Sequence, residues 1–209
     1  MRRMTVGDHA EARDALAADW GRFLAAVLPD AQWLPVPNLG EAVVDFAQAW
    51  ALDGLILSGG EDIGVTPVRD DTERQLLAWA RQHGHPVLGV CRGLQLLHTE
   101  QGGGLVATTG HVATRHPVQM LTPTMPGLAV PREVNSFHRW ALSIDPVNGA
   151  ECLVRDVDGY PEAVRYPALG ALGIMWHPER ETAPHSQDRA LVRHWFGHEN
   201  DGPSNERHS

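Results

Sequence analysis

The chain has 209 residues with 17 Lys and Arg against 26 Asp and Glu, which gives a formal net charge of −9 with His neutral. An acidic balance argues against non-specific binding to nucleic acid or to an anionic membrane surface, and no apolar run approaches the roughly 20 residues that span a bilayer. Two cysteines, Cys91 and Cys152, are too few for a disulfide framework and suit a reducing compartment. We therefore expect a cytoplasmic protein with one sizeable core.

The first half of the chain alternates helical and strand patterns. Helices are predicted at 8–28 and 41–50 and from Asp71, as the N-terminal cap, to Gly84. Strands are predicted at 33–36, 54–57 and 86–88. This alternation favours an α/β fold with a mostly parallel sheet and helices on both faces.

The second half carries a different pattern. Residues 105–135 read as irregular, with one strand at 118–121, and Asp158-Gly159 predicts a hairpin between strands at 152–155 and 162–165. A buried strand at 171–176 and a helix at 186–197 follow. We expect a small antiparallel portion here, a single catalytic domain over 1–197, and a polar, disordered tail over 198–209.

The sharpest motif is Gly89-Val90-Cys91-Arg92-Gly93, which lies between a short apolar strand and a helical run. Gly-x-Cys-x-Gly between strand and helix is the cysteine form of a nucleophile elbow, in which a tight turn lifts the nucleophile clear of the sheet. The helix that follows directs its N-terminal N–H groups at the sulfur and favours the thiolate. Without other motifs, a core cysteine flanked by glycines would explain the same residues.

A base and its orienting group are predicted at the end of the apolar run 171–176. His177 and Glu179 follow that run, where parallel sheets present their ligand sites, and their spacing places both side chains on one side of an extended segment. The N–H of Arg92 and that of Gly60, in the glycine turn after 54–57, are candidates for an oxyanion hole. An ordinary turn is the alternative for either segment taken alone.

Taken together, these motifs resemble the class I glutamine amidotransferase-like superfamily, a flavodoxin-like α/β fold, and within it the γ-glutamyl hydrolase branch that contains γ-glutamyl-GABA hydrolase. A small subgroup that includes γ-glutamyl-CDP-amidate hydrolase is the most similar. The resemblance covers about residues 54–180 and is carried by Leu57-Ser58-Gly59-Gly60-Glu61-Asp62, Arg69-Asp70-Asp71-Thr72-Glu73, Gly89 to Gln95, Val134-Asn135-Ser136-Phe137-His138, His111 to His116 and Gly173 to Arg180.

The resemblance implies a triad of Cys91, His177 and Glu179 and a glutamyl pocket that involves Gln95 and the segment Asn135, Ser136 and His138. Arg115 and His116 are weaker candidates for substrate binding, with a solvated loop as the alternative. No cofactor is implied, and the twelve scattered histidines show no paired ligand spacing, so we expect no metal. The family begins with an apolar strand that we do not find before Asp8, so either the start is trimmed or the sheet lacks a strand and exposes an edge.

The sequence therefore predicts a cysteine hydrolase that cleaves a γ-glutamyl amide and releases glutamate and an amine or amidate. A nucleotide-linked glutamine is one such small-molecule substrate, and Arg115 is one of several cationic residues expected near an anionic leaving group. The main alternative is the glutaminase component of an amidotransferase that delivers ammonia to a partner synthetase. A non-catalytic binding protein on the same fold is the third reading, and a homodimer is retained as an option.

Overall fold

The computed structural model describes residues 1–121, 125–128, 132–145 and 147–198. Its α-helices are α1 (Asp19–Val27), α2 (Val43–Ala49), α3 (Pro67–His83), α4 (Arg92–Glu100) and α5 (Ser186–Trp195). Its strands are β1 (Arg2–Val6), β2 (Glu11–Ala15), β3 (Leu55–Leu57), β4 (Val87–Val90), β5 (Leu105–Ala107), β6 (Val112–Met120), β7 (Arg132–Phe137), β8 (Trp140–Leu142), β9 (Glu151–Asp156), β10 (Pro161–Tyr166) and β11 (Ala171–Ile174). No helix of these residues is long and apolar enough to cross a membrane.

The central sheet has seven strands in the order β3-β4-β11-β10-β9-β6-β7. Strands β3, β4 and β11 run parallel, with Ile174 of β11 opposite Val90 of β4, whereas the pairings from β11 through β10, β9 and β6 to β7 are antiparallel. The α/β class is confirmed, and so is the hairpin at Asp158-Gly159, where Gly159 takes a φ of 90°. The parallel strands carry the chain to the predicted nucleophile.

The antiparallel part is larger than the sequence predicted. Strands β6 and β7 lie in the stretch that reads as irregular, and they pair from Val112 opposite Phe137 to Val118 opposite Arg132. Most residues of β6 are exposed or only partly buried. An antiparallel strand with a solvated face can carry polar residues, so its sequence lacks the apolar run that marks a buried strand.

Three of the local predictions for the first half of the chain are wrong. The stretch 8–28 contains the hairpin of β1 and β2 before helix α1, with Gly7 at a φ of 74° in the turn. The segment 33–36 forms no strand, consistent with the prolines at 35 and 37, which cannot donate to a ladder. Helix α3 begins at Pro67 rather than after Asp71, because proline suits the first helical turn.

Strand β3 forms one end of the central sheet, since β1 pairs with β2 in a separate hairpin. Beside β3 lies a cavity of about 350 Å³ whose lining includes Trp20, Leu28, Trp33 and Ile56. The described part of the chain therefore places no strand on the outer side of β3, as expected if the sheet lacks the family's first strand. The predicted boundary at residue 197 stays a prediction, because 199–209 lie outside the described residues.

Helix α4 lies very close to the parallel strands. A Cβ atom built on Gly93 would lie 2.1 Å from the carbonyl oxygen of Leu57 in β3, and one built on Gly173 would lie 2.3 Å from Leu94 Cδ1. Real Cβ atoms do not approach so closely, so only glycine permits this packing at these positions. The close contact holds the first turn of α4 directly after β4, and the residue between them is Cys91.

Candidate active site

Cys91 occupies a strained turn between β4 and α4. Its backbone has φ 52° and ψ −104°, in a region that costs a non-glycine residue about 1–3 kcal/mol. The Cys91 N–H donates to Ile174 O at 2.8 Å, and its carbonyl accepts the Gln95 N–H at 3.0 Å, the first bond of α4. The strand, turn and helix expected of a nucleophile elbow are therefore present, and they place the thiol at the N-terminus of α4.

His177 lies between Cys91 and Glu179. Its Nδ1 lies 2.7 Å from Glu179 Oε1, and its ring interacts with the sulfur of Cys91 on the other side. Burial alone would lower the pKa of His177, but the hydrogen bonds to Cys91 and Glu179 and their negative charges outweigh it and raise the pKa to about 9. The imidazole is thus held as a cation at neutral pH, beside the sulfur of Cys91 and the carboxylate of Glu179.

Asn135 fixes the backbone that carries His177. The Asn135 Oδ1 accepts the His177 N–H at 2.8 Å, and its Nδ2 donates to the His177 carbonyl at 2.8 Å. The same Nδ2 lies 2.8 Å from Glu181 Oε1. Sequence reasoning placed Asn135 in the glutamyl pocket, and the contacts that the structure gives it are those of a residue that positions the histidine.

The side chain of Arg69 hydrogen-bonds to the glycine loop that follows β3 and holds it in place. The Arg69 side chain is fully buried, and its Nη2 donates to the carbonyls of Ser58 and Gly59 at 2.9 and 3.1 Å. Gly60 has a φ of 155°, and a Cβ there would lie 2.1 Å from Arg69 Nη1. A glycine at 60 is therefore required by the arginine beneath it, which holds the loop that carries the predicted second oxyanion donor.

A buried charge network continues from Arg69 to the elbow. Arg69 pairs with Glu73 at 2.8 Å and with Glu61 at 2.9 Å, and the guanidinium of Arg92 pairs with both Glu73 and Asp70. The sequence placed Arg69, Asp70 and Glu73 in a segment that carries the family resemblance, but it did not predict these ion pairs. One of these pairs could have been predicted from the sequence, because Arg69 and Glu73 are four residues apart and therefore one helical turn apart in α3.

Most of the remaining residues predicted for the substrate pocket are buried, whereas Arg115 is exposed to solvent. Gln95 is buried and donates to the Trp140 carbonyl at 2.9 Å, and Ser136 is buried and donates to the His111 carbonyl at 2.7 Å. Arg115 is half exposed and pairs with Glu181 at 2.8 Å.

Arg115 lines an open cleft of about 420 Å³ together with Ala113, Thr114, Asn135, Phe137, Arg180 and Glu181. The Phe137 ring meets that of His177 edge-on at 5.7 Å, so the cleft lies beside the histidine. His116 and His138 point instead into a buried cluster of histidines.

Curated proteins and solved structures similar to the chain include the following three. It is 28% identical over 194 residues to the γ-glutamyl-CDP-amidate hydrolase of Campylobacter jejuni, which covers 89% of this chain and 90% of that protein. It is 33% identical over 172 residues to a protein of Mycobacterium tuberculosis named "Putative glutamine amidotransferase", covering 68% of this chain but spanning only 55% of that protein. In structure it resembles a Thermoplasma acidophilum protein described as one subunit of a "putative GMP synthase", with a TM-score of 0.69, 20% identity and 88% of each chain covered.

This structural neighbour and the chain share one fold. A sequence profile of peptidase C26 matches residues 11–179, a range that includes β3, the Cys91 elbow and the segment His177 to Glu179. The chain belongs to the peptidase C26 family.

Proposed function

We propose that the protein hydrolyses γ-glutamyl amide bonds with Cys91 as nucleophile, His177 as acid and base, and Glu179 as the group that orients the histidine. The observation that carries this proposal is the placement of the His177 ring between the sulfur of Cys91 and the Glu179 carboxylate, with the Cys91 backbone in a turn at a positive φ. Membership of peptidase C26 and the similarity to a γ-glutamyl-CDP-amidate hydrolase over nearly the whole of both chains support the reaction type.

In the proposed reaction the Cys91 thiolate, paired with the protonated His177, attacks the γ-carbonyl carbon of the glutamyl group. The carbonyl oxygen becomes an oxyanion, for which the N–H groups of Arg92 and Gly60 are the proposed donors. His177, held protonated by its two partners, gives its proton to the departing amine as the C–N bond breaks. The product of this half-reaction is a thioester between Cys91 and the γ-carboxyl of glutamate.

Water completes the cycle. His177 is now neutral and takes a proton from a water molecule, which attacks the thioester carbon and releases glutamate and the Cys91 thiolate. Glu179 accepts a hydrogen bond from Nδ1 throughout, so the opposite ring nitrogen faces the reacting groups. The strained backbone of Cys91 holds the sulfur in place for both half-reactions.

We further propose that the open cleft takes the leaving group and that anionic leaving groups are preferred. Arg115 and Arg180 both line this cleft, and the Arg180 guanidinium lies over the Phe137 ring at 4.3 Å. Arginine presents a planar fork that matches phosphate oxygens, and a local cationic patch would offset the repulsion from an acidic surface. A nucleotide-linked glutamine fits this description.

The alternative is a glutaminase component of an amidotransferase, which the similarity to the Mycobacterium tuberculosis relative favours. That function requires a synthetase partner to accept the ammonia. The two proposals differ in one measurable property, because a free-standing hydrolase releases glutamate from its substrate at full rate as an isolated chain.

The test is a panel of γ-glutamyl compounds assayed with the purified protein by glutamate release: γ-glutamyl-CDP-amidate, γ-glutamyl-GABA and glutamine. We expect turnover by the isolated chain, highest with the phosphate-bearing compound, and loss of about 10³-fold or more in Cys91→Ala. Cys152→Ala is the matched control, since Cys152 lies on β9 and is expected to leave turnover unchanged. Full turnover in Cys91→Ala refutes the proposal, and ammonia release from glutamine that appears only with a partner protein supports the alternative.

A further inference from the structure

The side chains of three histidines and one glutamate lie close together near the histidine of the proposed triad. We call them the three-histidine cluster: His111, which precedes β6, His116 on β6, His138 after β7, and Glu162 on β10. Each offers one ligand atom, and these four atoms lie within 4.8 Å of one another. The residues come from the β6 region, the end of β7 and β10, three separate parts of the antiparallel half of the sheet, so tertiary folding assembles them.

The cluster is buried, and its polar atoms lack hydrogen-bond partners. Glu162 is 1% exposed and His138 is 3% exposed. Both carboxylate oxygens of Glu162, both ring nitrogens of His138, Nε2 of His116 and Nδ1 of His111 are buried without a partner. Each unsatisfied buried group costs about 1–3 kcal/mol, so a concentration of them at one point indicates a bound group that satisfies them together.

The spacing of the ligand atoms is close to that of a tetrahedral metal centre. Glu162 Oε1 lies 3.5 Å from His138 Nε2 and 3.8 Å from His116 Nε2. Ligands at 2.0–2.1 Å from a tetrahedral zinc ion lie about 3.4 Å from one another. The closest of these pairs, at 3.5 Å, is near this value, and a pair at the 4.8 Å limit would have to close by about 1.4 Å to reach it.

A second carboxylate is placed to orient one of the histidines. Asp156 Oδ2 lies 3.7 Å from His111 Nε2, and its Oδ1 accepts the N–H groups of Asp158 and Tyr160 at 3.0 and 2.8 Å. Histidines that bind metal usually give their other ring nitrogen to a carboxylate in this way. Once ionised in the metal-bound state, the carboxylates of Asp156 and Glu162 would together balance a buried divalent cation.

We propose that the three-histidine cluster binds one divalent transition-metal ion, with zinc as the expected occupant, through three imidazole nitrogens and the Glu162 carboxylate. Three imidazoles and one carboxylate suit zinc or cobalt rather than magnesium or calcium, which take oxygen ligands. Four protein ligands close the coordination shell, so the centre is structural and ties β6 and the end of β7 to β10. The site stands independently of the function proposed for Cys91.

The ionisation of the cluster agrees with this geometry. Burial lowers the pKa of His138 to about 4 and raises that of Glu162 to about 8. The His138 imidazole is therefore neutral near pH 7, as a metal ligand must be, whereas the charge of His116 is too small an influence to offset the effect of burial on the Glu162 carboxyl. A divalent ion would supply a larger positive charge.

The test is zinc binding by the full chain, stripped of metal with a chelator and carried in a Cys91→Ala background so that no reactive thiol competes. Titration with zinc sulfate and metal analysis after dialysis should give one zinc per chain and a rise in Tm. Glu162→Gln and His111→Asn should weaken the affinity at least tenfold, and Asp156→Asn about 10–100-fold. The matched control is His83→Asn, in a second histidine pair whose rings stack at 5.7 Å, and it should bind zinc unchanged.

A spectrum tests the site even where a substituted cluster fails to fold. Cobalt chloride added to the unsubstituted cluster should give the intense visible absorption of a tetrahedral centre with nitrogen ligands. Less than stoichiometric zinc, zinc affinity that is unchanged in both Glu162→Gln and His111→Asn, or the weak absorption of octahedral cobalt would each overturn the proposal.

Discussion

The substitution Glu179→Gln tests the proposed triad most directly. It keeps the size of the side chain and removes the negative charge that faces His177 Nδ1 at 2.7 Å. Glu179 is 3% exposed, so water screens little of that charge. The substitution therefore changes the electrostatic support of the imidazole and leaves the base itself in place.

The expected size of the effect follows from the hydrogen bond that is weakened. A bond to a charged acceptor contributes about 1.5–3 kcal/mol and one to a neutral acceptor about 0.5–1.5 kcal/mol. The difference of about 1–1.5 kcal/mol corresponds to about one pKa unit. The pKa of His177, raised to about 9 in the unaltered protein, should therefore fall by about one unit in Glu179→Gln.

The loss of turnover depends on how the new amide is oriented. With its oxygen toward Nδ1, the weaker bond lowers kcat about tenfold, and the amide nitrogen takes the place of Oε2, which has no hydrogen-bond partner in the described structure. With its nitrogen toward Nδ1, the histidine is held in the wrong tautomer, for which serine-protease triads lose about 10⁴-fold. His177→Asn, which removes the base, should fall below the activity of Glu179→Gln.

The assay is kcat/KM for glutamate release from pH 6 to pH 10, in a range set by the His177 pKa of about 9. Because this pKa is raised above the ordinary value, the protonated form dominates below about 9 and is lost as the pH rises through it. The activity of the unaltered protein should therefore fall above about pH 9, and that decline should begin about one unit lower in Glu179→Gln.

Two outcomes would refute this reasoning. One is an alkaline limb that stays in place in Glu179→Gln, and the other is a kcat within about threefold of the unaltered protein, since either means that Glu179 does not support the histidine. Glu151→Gln is the matched control: Glu151 forms an exposed pair with Arg165, and its neutralisation should move neither value.

Three further predictions concern the surroundings of the triad. Gly59→Ala should lower kcat at least tenfold with little change in Tm, because its Cβ would lie 2.7 Å from His177 Cε1 and displace the ring. Glu73→Gln should lower the free energy of unfolding by about 3–5 kcal/mol in a denaturant titration, because it leaves the buried Arg92 guanidinium short of one carboxylate. Arg115→Ala should reduce the kcat/KM ratio of γ-glutamyl-CDP-amidate to γ-glutamyl-GABA, because the cleft loses a cation while the small neutral amide needs none.

Each of these three has a control of the same chemistry. Gly104→Ala places its Cβ at an ordinary 3.6 Å from Ser143 Oγ and should keep full activity. Glu100→Gln breaks an exposed pair with Arg74 and should cost no more than about 1 kcal/mol. Arg165→Ala removes a surface arginine and should leave the substrate ratio unchanged. An affected control, or an unaffected test variant, contradicts the corresponding prediction.

The sequence alone located the motifs from which the local chemistry is proposed. The elbow at Cys91 and the segment from His177 to Glu179 are short motifs in which the spacing of residues dictates the geometry. The hairpin at Asp158-Gly159 is read from two residues for the same reason. The α/β class followed from the alternation of helical and strand patterns in the first half of the chain.

The tertiary structure decided what depends on residues far apart in the chain. The pairing of Arg92 with Glu73, the two hydrogen bonds from Asn135 to the His177 backbone, and the meeting of His111 with Glu162 all join separate elements. Periodicity reports which face of one element is buried, and it carries no information about which buried polar groups will meet across elements. A buried charge or imidazole is stable only when other groups pair with it, because burial of an unpaired polar group costs free energy. Which groups become its partners is decided by the tertiary fold.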